Sequence, residues 1–470
     1  MNNTRLGSLS YRIESPLLSE YEELAVGPTG SETVRVPRFT IESLSRVKEE
    51  VVRNRNKHLA SRPIGDIVEC LDNVNRKWLD RNYHLRKKAQ KELPLITGYS
   101  SEMIELILDY LPNLFTRDNI YEMLKAEIGD SKYLDGFYPK EGHDGSVKAF
   151  GPELVVVVNA GNVPALPILS KNRNLLVKAA QISKVAREEP VFSFLYDESI
   201  AEEDPGLAST MADGYWKGGD NDIERIAFNV PLVVAYGGPQ TIEDIAKKID
   251  PTKTRFIPYG HKLSFGVVGK EYLTKDEIDR VSYATALSTS LYDQQGCLSP
   301  HVIWVEEGGE ISPEQFGEYL AKYMESVLKD LPRGDVPLDI SGRIGQIQQT
   351  YEFRALSEDG IRLWRPGGTE WTVIYEKNPE FTISCMYRVI RIKPIDDIDR
   401  IQELVEPIQE YLQTVGVELS EKRRLRFADQ MGRLGACRVT PLDKMGAPNI
   451  GPHDGRYGLA ELLEWTVIEE

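Results

Sequence analysis

From Glu153 onward, short apolar runs of strand length alternate with stretches of helical spacing, and this alternation restricts the chain to few architectures. Leu154-Val-Val-Val-Val158 is continuously apolar, as a strand buried on both faces must be. Pro164 to Leu169 opens a helix or turn, and Leu175-Leu-Val177 reads as a second strand. Leu232-Val-Val-Ala235 is a third, followed by Gly237-Gly238 and by Thr241, placed to N-cap a helix through Ile245. Strand, glycine-rich turn, helix, strand is the pattern of a parallel α/β sheet. A second block of the same kind follows. Thr274 and Glu277 have the spacing of a capping box for a helix running towards Ser290, and His301-Val-Ile-Trp-Val305 reads as a strand. Ser312-Pro-Glu-Gln315 is another capping box, with proline at the first helical position. Trp371 to Tyr375 and Tyr387 to Ile392 are further strand candidates.

The first 137 residues lack this alternation. After a polar leader they read as largely helical, with Ile41, Leu44, Val47 and Val51 on one face and Met103, Leu106, Ile107, Tyr110 and Leu111 on another. The next stretch holds Pro139, Gly142 and Gly145 and reads as either an ordinary loop or an extended arm. A chain of 470 residues exceeds one hydrophobic core, so several domains are expected. The divisions expected are a helical part at 1–137, an arm at 138–152, α/β domains at 153–263 and 264–439, and a C-terminal segment at 440–470.

Several function classes are disfavoured. A net charge of −16 argues against a duplex-binding protein, which needs clustered lysine and arginine for phosphates. The apolar runs are too short to span a bilayer, and no apolar signal region opens the sequence, so a cytoplasmic protein is expected. Cys70, Cys297, Cys385 and Cys437 are too scattered for a metal site or redox pair, and no metal is expected. Cys70 sits among Ile64, Ile67, Val68, Leu71 and Val74 at helical spacing, so packing is its expected role. The sequence contains no G-x-S-x-G, no phosphate-binding G-x-x-x-x-G-K-[ST], and no G-x-G-x-x-G after a strand.

Cys297 stands apart. It follows Gly296 in a polar segment between a helix and an apolar strand, where a thiolate can meet a substrate and hold an acyl group as a thioester. On the residues alone it could equally be a small core residue. His301 is four positions on, but Pro300 intervenes and a strand begins, which favours a structural histidine.

Tyr292-Asp-Gln-Gln-Gly-Cys-Leu-Ser-Pro300 resembles the nucleophile motif of the LuxC-type acyl reductases, a branch of the aldehyde dehydrogenase superfamily. Asn159-Ala-Gly-Asn-Val-Pro164 is similar to the segment that supplies an oxyanion-hole asparagine. Asn174-Leu-Leu-Val-Lys178 is similar to a strand ending in a ribose-binding lysine. Val233-Val-Ala-Tyr-Gly-Gly238 resembles the strand and turn that lead beneath a pyrophosphate. Trp216-Lys-Gly-Gly-Asp220 and His453-Asp-Gly455 also look like signatures of that family. The likeness covers residues 150 to 460.

The resemblance implies an α/β, aldehyde dehydrogenase-like fold: two Rossmann-like parallel domains, a helical N-terminal region and an oligomerisation arm. It implies Cys297 as the acylated thiolate and Asn162 as oxyanion donor. Lys178, Gln181, Gly237, Gly238 and Thr241 would bind the cofactor. Gln181 stands where NAD-preferring members carry a glutamate that repels a 2′-phosphate, and Lys184 and Arg187 lie nearby; together these favour NADPH. Oxidative members carry a water-activating glutamate where this chain has His261-Lys-Leu-Ser-Phe-Gly266, which holds no carboxylate. The segment Cys385-Met-Tyr-Arg-Val-Ile390 likewise lacks the glutamate that holds the nicotinamide ribose. The expected activity is therefore NADPH-dependent reduction of an acyl-CoA or acyl-carrier thioester to an aldehyde. An oxidative aldehyde dehydrogenase and a silent subunit of an acyl-transfer complex are the alternatives. Expected partners are an acyltransferase, an acyl-activating synthetase and further copies of the chain.

Overall fold

The computed structural model describes residues 10–447 and 449–469. Their contacts divide them into two compact units. One is built from the described residues within Met1–Thr97, Ile104–Gly260 and Pro448–Glu470, the other from Gly98–Met103 and His261–Ala447.

The first unit is organised by five parallel strands: β1 (Leu154–Val158), β2 (Ala180–Lys184), β3 (Met211–Gly214), β4 (Leu232–Tyr236) and β5 (Arg255–Tyr259), in the order β5-β4-β1-β2-β3. Every residue of β1 is buried, because helices cover both faces of the sheet. On one face Val156, Val158, Ile182, Val233 and Ala235 pack with Leu44, Val47 and Val51, the stripe read from helix Ile41–His58. Helix Ile64–Leu79 buries Trp78 and Cys70, and burial pushes the Cys70 thiol up to about 12.

Three elements differ from the sequence expectations. Leu175 and Leu176 end helix α1 (Pro167–Leu176), and Val177 caps it; the strand is Ala180–Lys184. A short apolar run is ambiguous between a buried helix end and a strand. The true strand was hidden by polar residues that satisfy one another: Asn174 Nδ2 donates to Gln181 Oε1 at 2.6 Å, and Gln181 Nε2 to Ser183 Oγ at 2.7 Å. The N-terminal region contains, besides its helices, an antiparallel pair of strands, Tyr21–Val26 and Glu32–Pro37, joined through Gly27 and Gly30 with positive φ. Residues 138–150 are two short strands, Tyr138–Pro139 and Ser146–Phe150, and the second pairs with Glu464–Ile468 from the C-terminal end.

The second unit holds a seven-stranded sheet: β6 (Leu263–Val268), β7 (Pro300–Glu306), β8 (Ile361–Trp364), β9 (Thr372–Glu376), β10 (Val389–Ile395), β11 (Leu412–Glu418) and β12 (Arg438–Thr440). Its order is β8-β9-β10-β7-β6-β11-β12, parallel except for the β8–β9 pair. Phe265, Val302, Trp304, Val415 and Val417 form its core with Phe427 and Met431. The Ser312 capping box is made in full. The Thr274 box is not: the helix starts at Ile278, and Glu277 instead accepts from Arg280 Nε at 2.6 Å.

Gly145 has φ +85°, and a Cβ there would lie 1.9 Å from the Ile468 carbonyl oxygen. Gly145→Ala should therefore loosen the C-terminal strand by about 1–3 kcal/mol. Hydrogen exchange of the amides of Glu464–Ile468 should speed up about tenfold or more, with β1 unchanged.

Candidate active site

Open parallel sheets bind ligands beyond the carboxyl ends of their strands, where the strand order reverses. In the first unit the reversal lies between β1 and β4, because the chain steps from β1 to β2 and β3 and then returns to place β4 and β5 on the other side. The segment Asn159-Ala-Gly-Asn162 leaves β1 there, and Gly237-Gly238 leaves β4. A Cβ on Gly238 would meet nothing within 4 Å, so the backbone is open to a ligand at this point. Asn159 donates its backbone N–H to the Lys184 carbonyl at 3.0 Å, while its buried Nδ2 finds no hydrogen-bond partner. A buried amide donor left over at a sheet's ligand edge is what a polar cofactor can satisfy. These residues fit a dinucleotide.

The helix beside Gly238 is α2 (Pro239–Ala246). Its N-cap is Gly238 with Pro239 at the first helical position, so Thr241 lies inside the first turn and does not cap it. The fixed φ of proline starts the helix three residues earlier than expected.

Lys178 and Gln181 are not at this edge. Lys178 lies in a left-handed turn, φ 60°, just before the amino end of β2, and its Nζ binds Asp135 Oδ1 at 2.6 Å. Gln181 is fully buried inside β2. The residue of this strand that reaches the carboxyl end is Lys184. Its Nζ lies 5.6 Å from the Tyr215 ring centroid and 5.8 Å from that of Trp216, and burial lowers its pKa despite Glu224 and Glu188 nearby. Arg187 follows, exposed. Leu175-Leu-Val177 has the look of a strand but ends a helix; the next apolar–polar alternation, Ala-Gln-Ile-Ser-Lys, is the sequence signal of the strand itself. Of the other motifs, Trp216 is buried against Phe39, and His453 sits in a turn with its ring 5.5 Å from Tyr259 at the end of β5.

Cys297 belongs to the second unit. It is half-buried, three residues before β7. Helix α3 (Ile278–Ser290) ends just before it, and the chain then turns through Tyr292, Asp293 and Gln294, all with positive φ (53°, 47° and 62°). A run of three non-glycine residues in this region is costly, about 1–2 kcal/mol each. Buried partners hold it. Asp293 Oδ1 lies 2.7 Å from Arg388 Nη2, with both side chains almost wholly buried. Gln294 Nε2 donates to the Pro300 carbonyl at 2.7 Å and to that of Val389 at 3.1 Å. On the other side of the cysteine, Ser264 Oγ donates to the Cys297 carbonyl at 2.7 Å and accepts from Thr414 N at 3.1 Å. Ser264, Asp293 and Arg388 were not singled out from the sequence. All three lie inside segments that the sequence brings forward, but nothing local marks Arg388, a charge within an apolar run, as the partner of Asp293.

His301 is buried on β7, and its Nδ1 accepts from Ser384 N at 3.1 Å. Burial first, then His261 and Arg391, drives its pKa down to about 4. It is neutral and already engaged, a structural group. Cys385 lies in a loop before β10, its thiol pushed up by burial. Among the described residues no group of three or more His, Cys, Asp or Glu could hold a metal, and no helix is long and apolar enough to cross a membrane.

Two such sheets are the fold of the aldehyde dehydrogenases. An oxidoreductase from Marinobacter aquaeolei superposes with a TM-score of 0.73 over 97% of this chain and 99% of its own, at 15% identity. Aldehyde dehydrogenase 21 from Physcomitrella patens gives 0.71 over 98% of each chain, at 14% identity. Residues 59–465 match the acyl-CoA reductase (LuxC) family, and the chain belongs to that family of oxidoreductases. It is 24% identical to the long-chain acyl-protein thioester reductase of Photobacterium phosphoreum, over 96% of this chain and 88% of that one. With the enzyme of the same description from Photorhabdus luminescens it shares 26% identity, over 90% and 85%.

The depressed pKa of His301 has a definite sign. The folded state binds the proton more weakly than the unfolded chain, so this contribution is full above pH ~6.5 and is lost as pH falls towards 4. Urea denaturation of the parent should lose about 2 kcal/mol more between pH 7 and 5 than His301→Gln does. If His301 were instead a catalytic base, the glutamine variant would lose 10²-fold or more in acylation rate; a loss below about threefold is expected.

Proposed function

We propose that the enzyme reduces an activated acyl group, carried as an acyl-CoA or acyl-carrier thioester, to an aldehyde with NADPH, through an acyl group held on Cys297. The single observation that carries this reading is the setting of the thiol. Cys297 stands on a turn held by buried contacts, while its neighbours offer no hydrolytic base: His261-Lys-Leu-Ser-Phe-Gly266 has no carboxylate, and His301 is neutral and engaged. A thioester formed there is poorly served for attack by water.

The chain's residues act as follows. The Cys297 thiolate adds to the thioester carbonyl, making a new C–S bond. The family likeness implies the Cys297 backbone N–H and the Asn162 side chain as the oxyanion's donors, and a donor of that kind is worth ~3 kcal/mol at the transition state. As the carbonyl reforms, the original C–S bond breaks and the thiol of CoA or carrier leaves with a proton. NADPH, when bound, supplies the hydride for the acyl carbon. The thiohemiacetal on Cys297 then collapses, releasing aldehyde and restoring the thiol. Asn159, Gly237 and Gly238 form the cofactor's edge, with Thr241 in the adjoining first helical turn. Lys184 replaces Lys178 in the role of ribose contact, and Arg187 replaces Gln181 as the residue facing a 2′-phosphate. A cation in that role favours NADPH more strongly than the neutral Gln181 would.

Self-association belongs to the same reading. Strand Glu464–Ile468 forms the outer edge of its small sheet and exposes Trp465, Val467 and Ile468. An edge strand with apolar side chains invites pairing with another copy. The acyltransferase and acyl-activating partners implied by the family likeness supply the activated acyl group in this scheme.

Cys297→Ala should abolish NADPH oxidation driven by a chain-length series of acyl-CoAs; reduction at the parent rate would overturn the proposal. Arg187→Glu should move cofactor preference from NADPH towards NADH by about tenfold, equivalent to ~1.4 kcal/mol, read as the ratio of kcat/KM values.

A further inference from the structure

The Cys297 turn does not stand alone. Met386, Tyr387 and Arg388, just before β10, also have positive φ, at 66°, 53° and 66°. Two three-residue left-handed runs, about ninety positions apart in sequence, are thus joined to each other. Tyr387 N donates to the Asp293 carbonyl at 2.9 Å. Arg388 Nε donates to Asp293 Oδ1 at 2.8 Å, and its Nη1 and Nη2 donate to the carbonyls of Leu331 and Pro332 at 2.9 and 3.2 Å. The other carboxylate oxygen, Asp293 Oδ2, accepts from Gly334 N at 3.1 Å. Arg388 is fully buried and Asp293 2% exposed.

We infer that Asp293 and Arg388 are positioning residues for Cys297: their ion pair locks the two left-handed runs together and so fixes the peptide from which the thiol is presented. The inference rests on the reading of Cys297 as the acylated nucleophile. Three observations support it. Neither charge is placed to touch substrate, because each is enclosed by backbone partners. The pair ties the loop after helix α3 to the start of β10 and to the loop at Leu331–Gly334, so the turn is anchored to two other segments. Gln294, next to Asp293, repeats the arrangement by bridging the first residues of β7 and β10. A group that merely filled a core would not need a guanidinium and a carboxylate bonded both to each other and to the backbone of a third segment. Misplacing a reacting atom by about 1 Å can cost 10²-fold in rate, so a loosened turn should slow acylation without weakening substrate binding.

The test uses the full-length enzyme and an acyl-CoA. Asp293→Asn combined with Arg388→Gln removes both charges together and leaves no stranded buried ion. Single-turnover acylation should fall about 10- to 100-fold, with KM within about threefold and with alkylation by iodoacetamide, which needs no orientation, within about twofold. Arg388→Lys keeps the charge balanced but loses the fork; it should recover part of the acylation rate and gives the same readout if the amide pair does not fold. Acylation at the parent rate in a folded variant overturns the inference. Cys297→Ala is run alongside. If it still captures acyl groups, the nucleophile assignment fails; if it does not while the pair variants acylate normally, the positioning role alone fails.

Discussion

The buried pairing of Asp293 with Arg388 is the contact on which the candidate thiol site depends. A single buried charge is expensive, and removing one partner of such a pair commonly costs about 3–5 kcal/mol. Here the pair does more than cancel charge. Each partner sits in a backbone conformation that non-glycine residues avoid, and each also binds main chain of the Leu331–Gly334 loop: Asp293 accepts from Gly334 N–H and Arg388 donates to the Leu331 carbonyl. The strain in the turns and the ion pair across them are therefore one structure. Strain of this kind persists only where the surroundings over-determine it, and it clusters where a side chain must be aimed.

That arrangement separates two chemistries open to a thiol on this fold. Oxidation of an aldehyde to an acid needs a base to direct water onto the acyl-enzyme. Reduction of a thioester needs the acyl group to wait for a hydride. The residues around Cys297 favour waiting. The nearest histidine in sequence is sealed and neutral, and the Ser264 hydroxyl on β6 is spent on the Cys297 carbonyl. The chain's membership of the acyl-CoA reductase (LuxC) family agrees with this direction.

Much of the fold was legible because buried parallel strands must be apolar throughout. Leu154-Val-Val-Val-Val158, Leu232-Val-Val-Ala235 and His301-Val-Ile-Trp-Val305 each announce themselves, and each lies in its sheet as read. Strand Ala180–Lys184 did not, because Gln181 and Ser183 are polar and pair inside the sheet, while the helix end before it looks like a strand. That single ambiguity puts the candidate lysine at Lys178, before the amino end of β2, whereas the lysine at its carboxyl end is Lys184. The cysteine motif was legible because its local chemistry is unusual. Its anchor was not, since Arg388 meets Asp293 only after β10 has been laid beside β7. Long-range pairings of this sort leave no mark in either segment alone.

The central claim is that Cys297 carries the acyl group. Incubating the enzyme with a labelled acyl-CoA in the absence of NADPH, then digesting it and mapping the label by mass spectrometry, tests this most directly. One hydroxylamine-labile acyl group on the peptide containing Cys297, discharged as aldehyde when NADPH is added, is the predicted result. Label on Cys385 or Cys437, or no covalent acyl group while aldehyde is still formed, would contradict it.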